Sequence, residues 1–211
     1  MTKKQRIIYW LGVALVILIA VIFLAKIVAA PNITPDKITD QDWTRGNKDS
    51  KVILIEYSDF QCPACQFYYK MVDDLVNEFG NHIYFAYRNY PLKQHPNAVP
   101  AAQAAEAAGV QGKFWEMSDL LFANQKEITA LQNPKDKFVE YANNLGLNKD
   151  QFLKDYDSSK TKDSIIASGK NADKLKLRGT PSFFLNGKLI NNPRDYESFR
   201  QLIRDELAKN P

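Results

Sequence analysis

Residues 7–25 form a run of nineteen positions with no charged side chain, almost all Leu, Ile, Val, Ala or aromatic. Coiled as a helix, such a run reaches about 28 Å, close to the roughly 30 Å hydrocarbon core of a bilayer. Past residue 50 the pattern becomes that of a folded domain. Residues 51–57 are nearly continuous in apolar character, which predicts a strand covered on both faces, and residues 82–88 (His-Ile-Tyr-Phe-Ala-Tyr-Arg) predict a second, aromatic-rich strand. Between them Phe67, Met71, Leu75, Val76 and Phe79 recur at helical spacing, with Gly80 where a C-terminal cap belongs. Together these make a parallel strand-helix-strand unit.

Toward the C-terminus, Ser182-Phe183-Phe184-Leu185 and Lys188-Leu189-Ile190 flank Asn186-Gly187, a strong hairpin signal. A closing helix shows Tyr196, Phe199, Leu202, Ile203 and Leu207 on one face. The stretch 97–177 reads as helical throughout. It begins with the alanine-rich residues 98–108, stopped by Gly109, and continues with a helix started by Asn133-Pro134 that buries Phe138, Val139, Tyr141, Ala142 and Leu145 and ends at Gly146. This order predicts an α/β domain, a small mixed sheet with helices on both sides and about eighty residues of helix inserted into it.

Charge separates the two ends of the chain. Of 28 basic and 24 acidic side chains, Lys3, Lys4, Arg6 and Lys26 lie in residues 1–30, which hold no acidic residue; residues 31–211 therefore carry 24 of each. The formal +4 belongs to the apolar end, and the folded part has no electrostatic footprint for nucleic acid. Basic residues ahead of an apolar run hold the N-terminus in the cytoplasm and place the remainder outside, so residues 1–30 are expected to be a single-pass anchor. A cleaved signal peptide is the alternative, with Val28-Ala29-Ala30 as the cleavage point, although its apolar region is ordinarily only about 7–15 residues. Both readings put the domain in a disulfide-permissive compartment. Residues 31–50, rich in Pro, Asp, Thr, Asn and Lys, read as a spacer. The sequon Asn32-Ile33-Thr34 lies there, a pattern short enough to arise by chance.

The domain's chemistry centres on Cys62-Pro63-Ala64-Cys65, which holds the only two cysteines of the chain and follows the first strand directly. If Cys62 caps the helix, Pro63 takes the first helical position, where its missing N–H costs nothing, and Cys65 the third. The Cys62 sulfur can then accept from the Cys65 N–H while facing the positive end of the helix dipole, and both effects favour thiolate. Cys62 is expected to be the exposed attacking sulfur and Cys65 the shielded resolving one. Half of a zinc site is another reading, but two more ligands would have to come from His82, His95 and carboxylates with no finger spacing. A purely structural bridge over so short a loop would restrain little of the unfolded chain.

The segment Glu56-Tyr57-Ser58-Asp59-Phe60-Gln61-Cys62-Pro63-Ala64-Cys65, the helical insertion, Pro91-Leu92 with His95-Pro96, and Gly179-Thr180-Pro181-Ser182 before the hairpin resemble the DsbA-type thiol-disulfide oxidoreductases. The resemblance covers nearly all of residues 45–208. It implies a thioredoxin-like fold over residues 51–211 with a helical insertion at about 92–177, preceded here by the transmembrane helix. It also implies a cis peptide before Pro181, set against the cysteines. Thr180 would then pair its backbone with an extended substrate, and Pro63 and Ala64 would contact substrate between the two sulfurs. Glu56 stands where the family carries an acidic residue beneath the site. On an apolar face with Val52 and Leu54 its pKa should rise, suiting it to exchange the proton of Cys65; a solvated glutamate at a strand end is the plain alternative. Ala64 departs from the histidine of DsbA itself, so the Cys62 pKa is expected between the roughly 3.5 of that protein and the roughly 7 of thioredoxin.

The function this implies is an extracytoplasmic dithiol oxidase acting on reduced, unfolded exported proteins and reoxidised by a quinone-linked, DsbB-like membrane partner, with no metal or organic cofactor. A reductase or isomerase of the same fold is the alternative within this class. A tethered peptide-binding or chaperone module is the alternative outside it. Phe114, Trp115, Leu121 and Phe122 are assigned to the insertion core, His82 to structure, and His95 to no chemistry.

Overall fold

The computed structural model describes residues 3–28, 35 and 37–210. Helix α1 covers Lys3–Val28. The side chains at 7, 8 and 20–28 fall outside the described set, as do the cleavage residues Ala29 and Ala30 and the sequon at 32–34. Among the described residues no helix is long and apolar enough to cross a membrane.

From residue 33 onward the chain is a separate compact unit. Its sheet contains β1 (Trp43–Gly46), β2 (Ile53–Ser58), β3 (Tyr84–Asn89), β4 (Ser182–Leu185) and β5 (Lys188–Leu189), in the order β1-β3-β2-β4-β5. Strands β2 and β3 are parallel, joined by α2 (Pro63–Phe79), and every other pairing is antiparallel. The nearly unbroken apolar reading of β2 follows from burial of both faces. Leu54 packs with Phe85, Phe183 and Leu75 on one side, and Ile55 and Tyr57 pack with Ala86, Phe184 and Leu177 on the other. Asn186 and Gly187 take φ of 46° and 78°, the left-handed pair that a two-residue hairpin turn requires. Helix α9 (Tyr196–Lys209) closes the domain with Phe199 and Ile203 inward.

The insertion is α3 (Ala98–Val110), α4 (Phe114–Ala123), α5 (Gln125–Ala130), α6 (Lys135–Asn144), α7 (Lys149–Tyr156) and α8 (Ser159–Lys174). Phe114, Leu121 and Phe122 are buried, and Trp115 packs against that core with the Arg45 guanidinium 4.2 Å from its ring centroid.

Two local expectations are corrected and one is met. Gly109 does not stop α3, which runs on to Val110 and turns at Gly112 with φ of 76°. A Cβ on Gly109 would stand 2.2 Å from the Trp43 ring, so this glycine makes room for an aromatic side chain. Gly80 is the C-cap of α2, as its position predicted, in right-handed geometry with φ of −56°. Phe67, placed on the buried stripe of α2 by spacing, is 56 % exposed, and the buried face is Cys65, Val72, Leu75 and Phe79.

The spacer expected over 31–50 is shorter than its composition suggests. Trp43–Gly46 is an edge strand on β3, and Asp42 is buried against Arg88, whose Nε and Nη2 donate to its two carboxylate oxygens at 2.6 and 2.9 Å. The same guanidinium donates to the Lys37 carbonyl and the Tyr57 hydroxyl, fixing residues 37–42 to the sheet.

Candidate active site

Strand β2 ends at Ser58, and four residues later the chain enters α2 with Cys62 as its N-cap (φ −78°, ψ 121°) and Pro63 in the first turn. This is the geometry expected from the spacing. Both cysteines are free thiols. Cys65 is fully buried, whereas Cys62 retains only 7 % of its surface and is less open than an attacking sulfur was expected to be. Pro63 and Ala64, between them, are exposed.

The Thr180 segment accounts for that cover. The Thr180–Pro181 peptide is cis, as the resemblance implied, and the Cys62 thiol donates to the Thr180 carbonyl oxygen at 3.3 Å. Thr180 thus lies directly against the attacking sulfur, 118 residues away in sequence.

The two sulfurs are driven apart electrostatically. The Cys65 thiol has the largest influence on Cys62 and lowers its pKa; burial, next in size, opposes it, and the Thr180 side chain and the backbone N–H groups of Cys65 and Ala64 bring it down to about 5. No short capping bond to the Cys62 sulfur forms. The neighbouring thiol therefore contributes more than the helix N–H groups emphasised by the sequence argument. Burial, the bond to Cys62 and the nearby Glu56 carboxylate push Cys65 well above the ordinary thiol value. Such a pair provides a ready leaving group and nucleophile beside a proton-holding partner.

Glu56 lies under the pair, 1 % exposed, opposite Tyr87 on β3 and Phe183 on β4. Burial raises its pKa to about 7, partly opposed by the Ser58 hydroxyl. The solvated alternative is thereby excluded.

Several residues around the site had been given no role. Asp59 is buried; its Oδ1 accepts from the Gln61 N–H at 2.7 Å, and its Oδ2 accepts from the Leu92 N–H and stands 2.8 Å from His95 Nδ1. Gln61 Oε1 accepts from the Asn97 N–H, and Gln125 Nε2 donates to the carbonyls of Phe60 and Cys62 at 2.9 and 3.0 Å. His95 is therefore a brace of the loop ahead of α2, and the insertion holds the Cys62 carbonyl itself. The Asp59-Phe60-Gln61 stretch carries a local signal, an aspartate accepting from the N–H two residues on; the long-range partners carry none.

Residues 39–205 match the thioredoxin family model, described as "Thioredoxin". BdbD from Bacillus subtilis superposes with a TM-score of 0.72 at 19 % identity, covering 85 % of this chain and all of that one. A thioredoxin-like oxidoreductase from Silicibacter pomeroyi DSS-3 superposes with a TM-score of 0.64 at 25 % identity, over 81 % of this chain and 94 % of its own. Among curated proteins, a Na(+)/H(+) antiporter NhaA 1 of Salinispora arenicola is 37 % identical over 170 residues, 80 % of this chain but 25 % of that protein. The chain thus spans about a quarter of the length of the curated relatives it matches, and their name describes a much longer polypeptide. The chain belongs to the thioredoxin family, and it shares its fold, helical insertion included, with BdbD and the Silicibacter pomeroyi thioredoxin-like oxidoreductase.

Proposed function

We propose that this DsbA-like oxidoreductase is an extracytoplasmic dithiol oxidase that introduces disulfides into exported proteins. The observation that carries the reading is the opposed pair, with Cys62 pulled down to about 5 and Cys65 pushed up. A stabilised Cys62 thiolate favours the dithiol form, and so makes the disulfide form a willing electron acceptor. A substrate thiolate attacks Cys62, Cys65 departs with the electron pair, and the substrate's second thiolate then attacks its own mixed-disulfide sulfur and releases Cys62. The exposed Pro63 and Ala64, together with the half-buried Thr180 beside the sulfur, form the contact surface for an extended substrate, and the buried Pro181 fixes the Thr180 backbone through its cis peptide. Glu56 exchanges the Cys65 proton.

The anchored, outward-facing arrangement rests on the sequence alone, on the uncharged run at 7–25 behind Lys3, Lys4 and Arg6. A quinone-linked, DsbB-like membrane partner would return the pair to the disulfide. The test presents the oxidised protein with a reduced, unfolded substrate and, separately, the reduced protein with insulin. Rapid disulfide formation with slow insulin reduction supports the oxidase, and the reverse order makes the protein a reductase. Labelling of Cys62 by a membrane-impermeant thiol reagent in intact cells tests its location.

A further inference from the structure

Beneath the cysteine pair lies a small polar cluster inside the apolar core. Ser58 is fully buried, and its hydroxyl has no hydrogen-bond partner of ordinary geometry among the described residues; the Tyr87 hydroxyl, on a side chain 1 % exposed, is in the same position. A buried hydroxyl left unpaired costs about 1–3 kcal/mol. Two of them side by side in a core otherwise built from Phe, Leu and Ile require an explanation.

Their surroundings supply one. Glu56 and Ser58 alternate onto the same face of β2, the face over which α2 lays Cys65. The Ser58 hydroxyl interacts with the Glu56 carboxyl, the Cys65 thiol and the Tyr87 phenol, and it favours the charged form of each. It closes a fixed bond with none of them, so its single proton can turn toward any. On the far side of Glu56 is a cavity of about 10 Å³, lined by Glu56, Tyr87, Tyr69, Arg45, Asp73 and Trp115. That volume suits one water molecule. Its outer wall is the Arg45–Asp73 ion pair, whose side chains are 23 % and 41 % exposed.

We propose that Ser58 is the proton relay between Cys65 and Glu56, and that the cavity beside Glu56 and Tyr87 is its outlet toward solvent at Arg45 and Asp73. The proposal rests on the oxidase reading and specifies how its buried thiol exchanges a proton. When a substrate thiolate attacks Cys62, the Cys62–Cys65 bond breaks and the substrate–Cys62 bond forms. The substrate sulfur is oxidised, and Cys65 leaves as a thiolate carrying the electron pair. Ser58 gives its hydroxyl proton to Cys65 and takes the proton of Glu56, which is recharged from the cavity. In the reverse direction the same hydroxyl moves the proton from Cys65 to Glu56.

The test measures mixed-disulfide formation and resolution across pH in single turnovers for the full chain and for Ser58→Ala, Ser58→Thr, Glu56→Gln and Ser58→Ala/Glu56→Gln. The relay predicts that Ser58→Ala slows the Cys65 step by at least about tenfold. It also predicts that Ser58→Ala removes the rate inflection contributed by Glu56 while the Cys62 thiolate titration stays close to that of the parent and the melting temperature does not fall, that Ser58→Thr restores the rate, and that Ser58→Ala adds nothing in the Glu56→Gln background. A Ser58→Ala rate and pH profile equal to the parent's, with Glu56→Gln slow, would overturn the relay and leave the proton-exchange role of Glu56 standing. A Glu56→Gln rate equal to the parent's would overturn both.

Discussion

The Cys62 thiol donates to the Thr180 carbonyl oxygen at 3.3 Å, joining the start of α2 to the segment that precedes β4. That contact covers the Cys62 sulfur, and the Thr180 side chain lowers the Cys62 pKa although its buried hydroxyl has no hydrogen-bond partner of ordinary geometry among the described residues. Removing the hydroxyl while keeping the side-chain shape isolates this effect. Thr180→Val should raise the Cys62 pKa, by less than the roughly one unit that a full hydrogen bond to a charged group would supply. Thiolate absorbance followed against pH measures it.

The Cys65 thiol is the largest influence lowering the Cys62 pKa. Cys65→Ala should therefore raise the Cys62 titration above that of the parent and, lacking the resolving sulfur, accumulate mixed disulfides with substrate. Alkylation of the reduced parent should follow one midpoint near 5, with Cys65 unmodified at neutral pH because its thiol is pushed up by burial. Mass mapping of the modified cysteine checks both statements.

Glu106, on α3, accepts from Trp43 Nε1 and Asn89 Nδ2 at 3.0 and 2.7 Å through the same oxygen, and burial raises its pKa from 4.5 to about 7. A carboxyl raised in the fold imposes no penalty below about pH 4.5; the penalty grows between 4.5 and 7 and is full above that, up to about 3 kcal/mol. Glutamine keeps the accepting oxygen and loses the charge. Glu106→Gln should accordingly stabilise the protein at pH 8 and change little at pH 4, as read from denaturant midpoints at the two pH values.

Gly109 faces the Trp43 ring with no room for a methyl group. Gly109→Ala should cost about 1–3 kcal/mol through overpacking, although alanine is the better helix former. A joint change with Trp43→Leu should recover part of the loss in a double-mutant cycle.

What the sequence disclosed was local. The strand at 53–58, the helix capped by Cys62 and the Asn186-Gly187 turn each carry their signal within a few residues, through periodicity, a proline at a helix start or a left-handed turn pair. Trp43–Gly46 escaped because a four-residue edge strand containing Arg and Gly has no period to read, and its pairing partner begins at Tyr84. The cover over Cys62, the His95–Asp59 brace and the hold of Gln125 on the Cys62 carbonyl join residues 36 to 118 positions apart. Only the folded sheet and insertion bring them together. Glu56 was legible because a carboxylate on an apolar strand face is itself a local anomaly, whereas Ser58, a common polar residue two positions on, became visible only when the fold left its hydroxyl buried without a partner.

The proposed oxidase requires the fold to make Cys62 a stabilised thiolate and the Cys62–Cys65 disulfide a correspondingly strong oxidant. Its most direct test is the reduction potential of the pair, equilibrated against glutathione buffers. With Cys62 near 5 and thioredoxin's cysteine near 7, two units at about 30 mV each place the potential roughly 60 mV above thioredoxin's value of about −270 mV, near −210 mV. A value at or below about −270 mV would contradict the account.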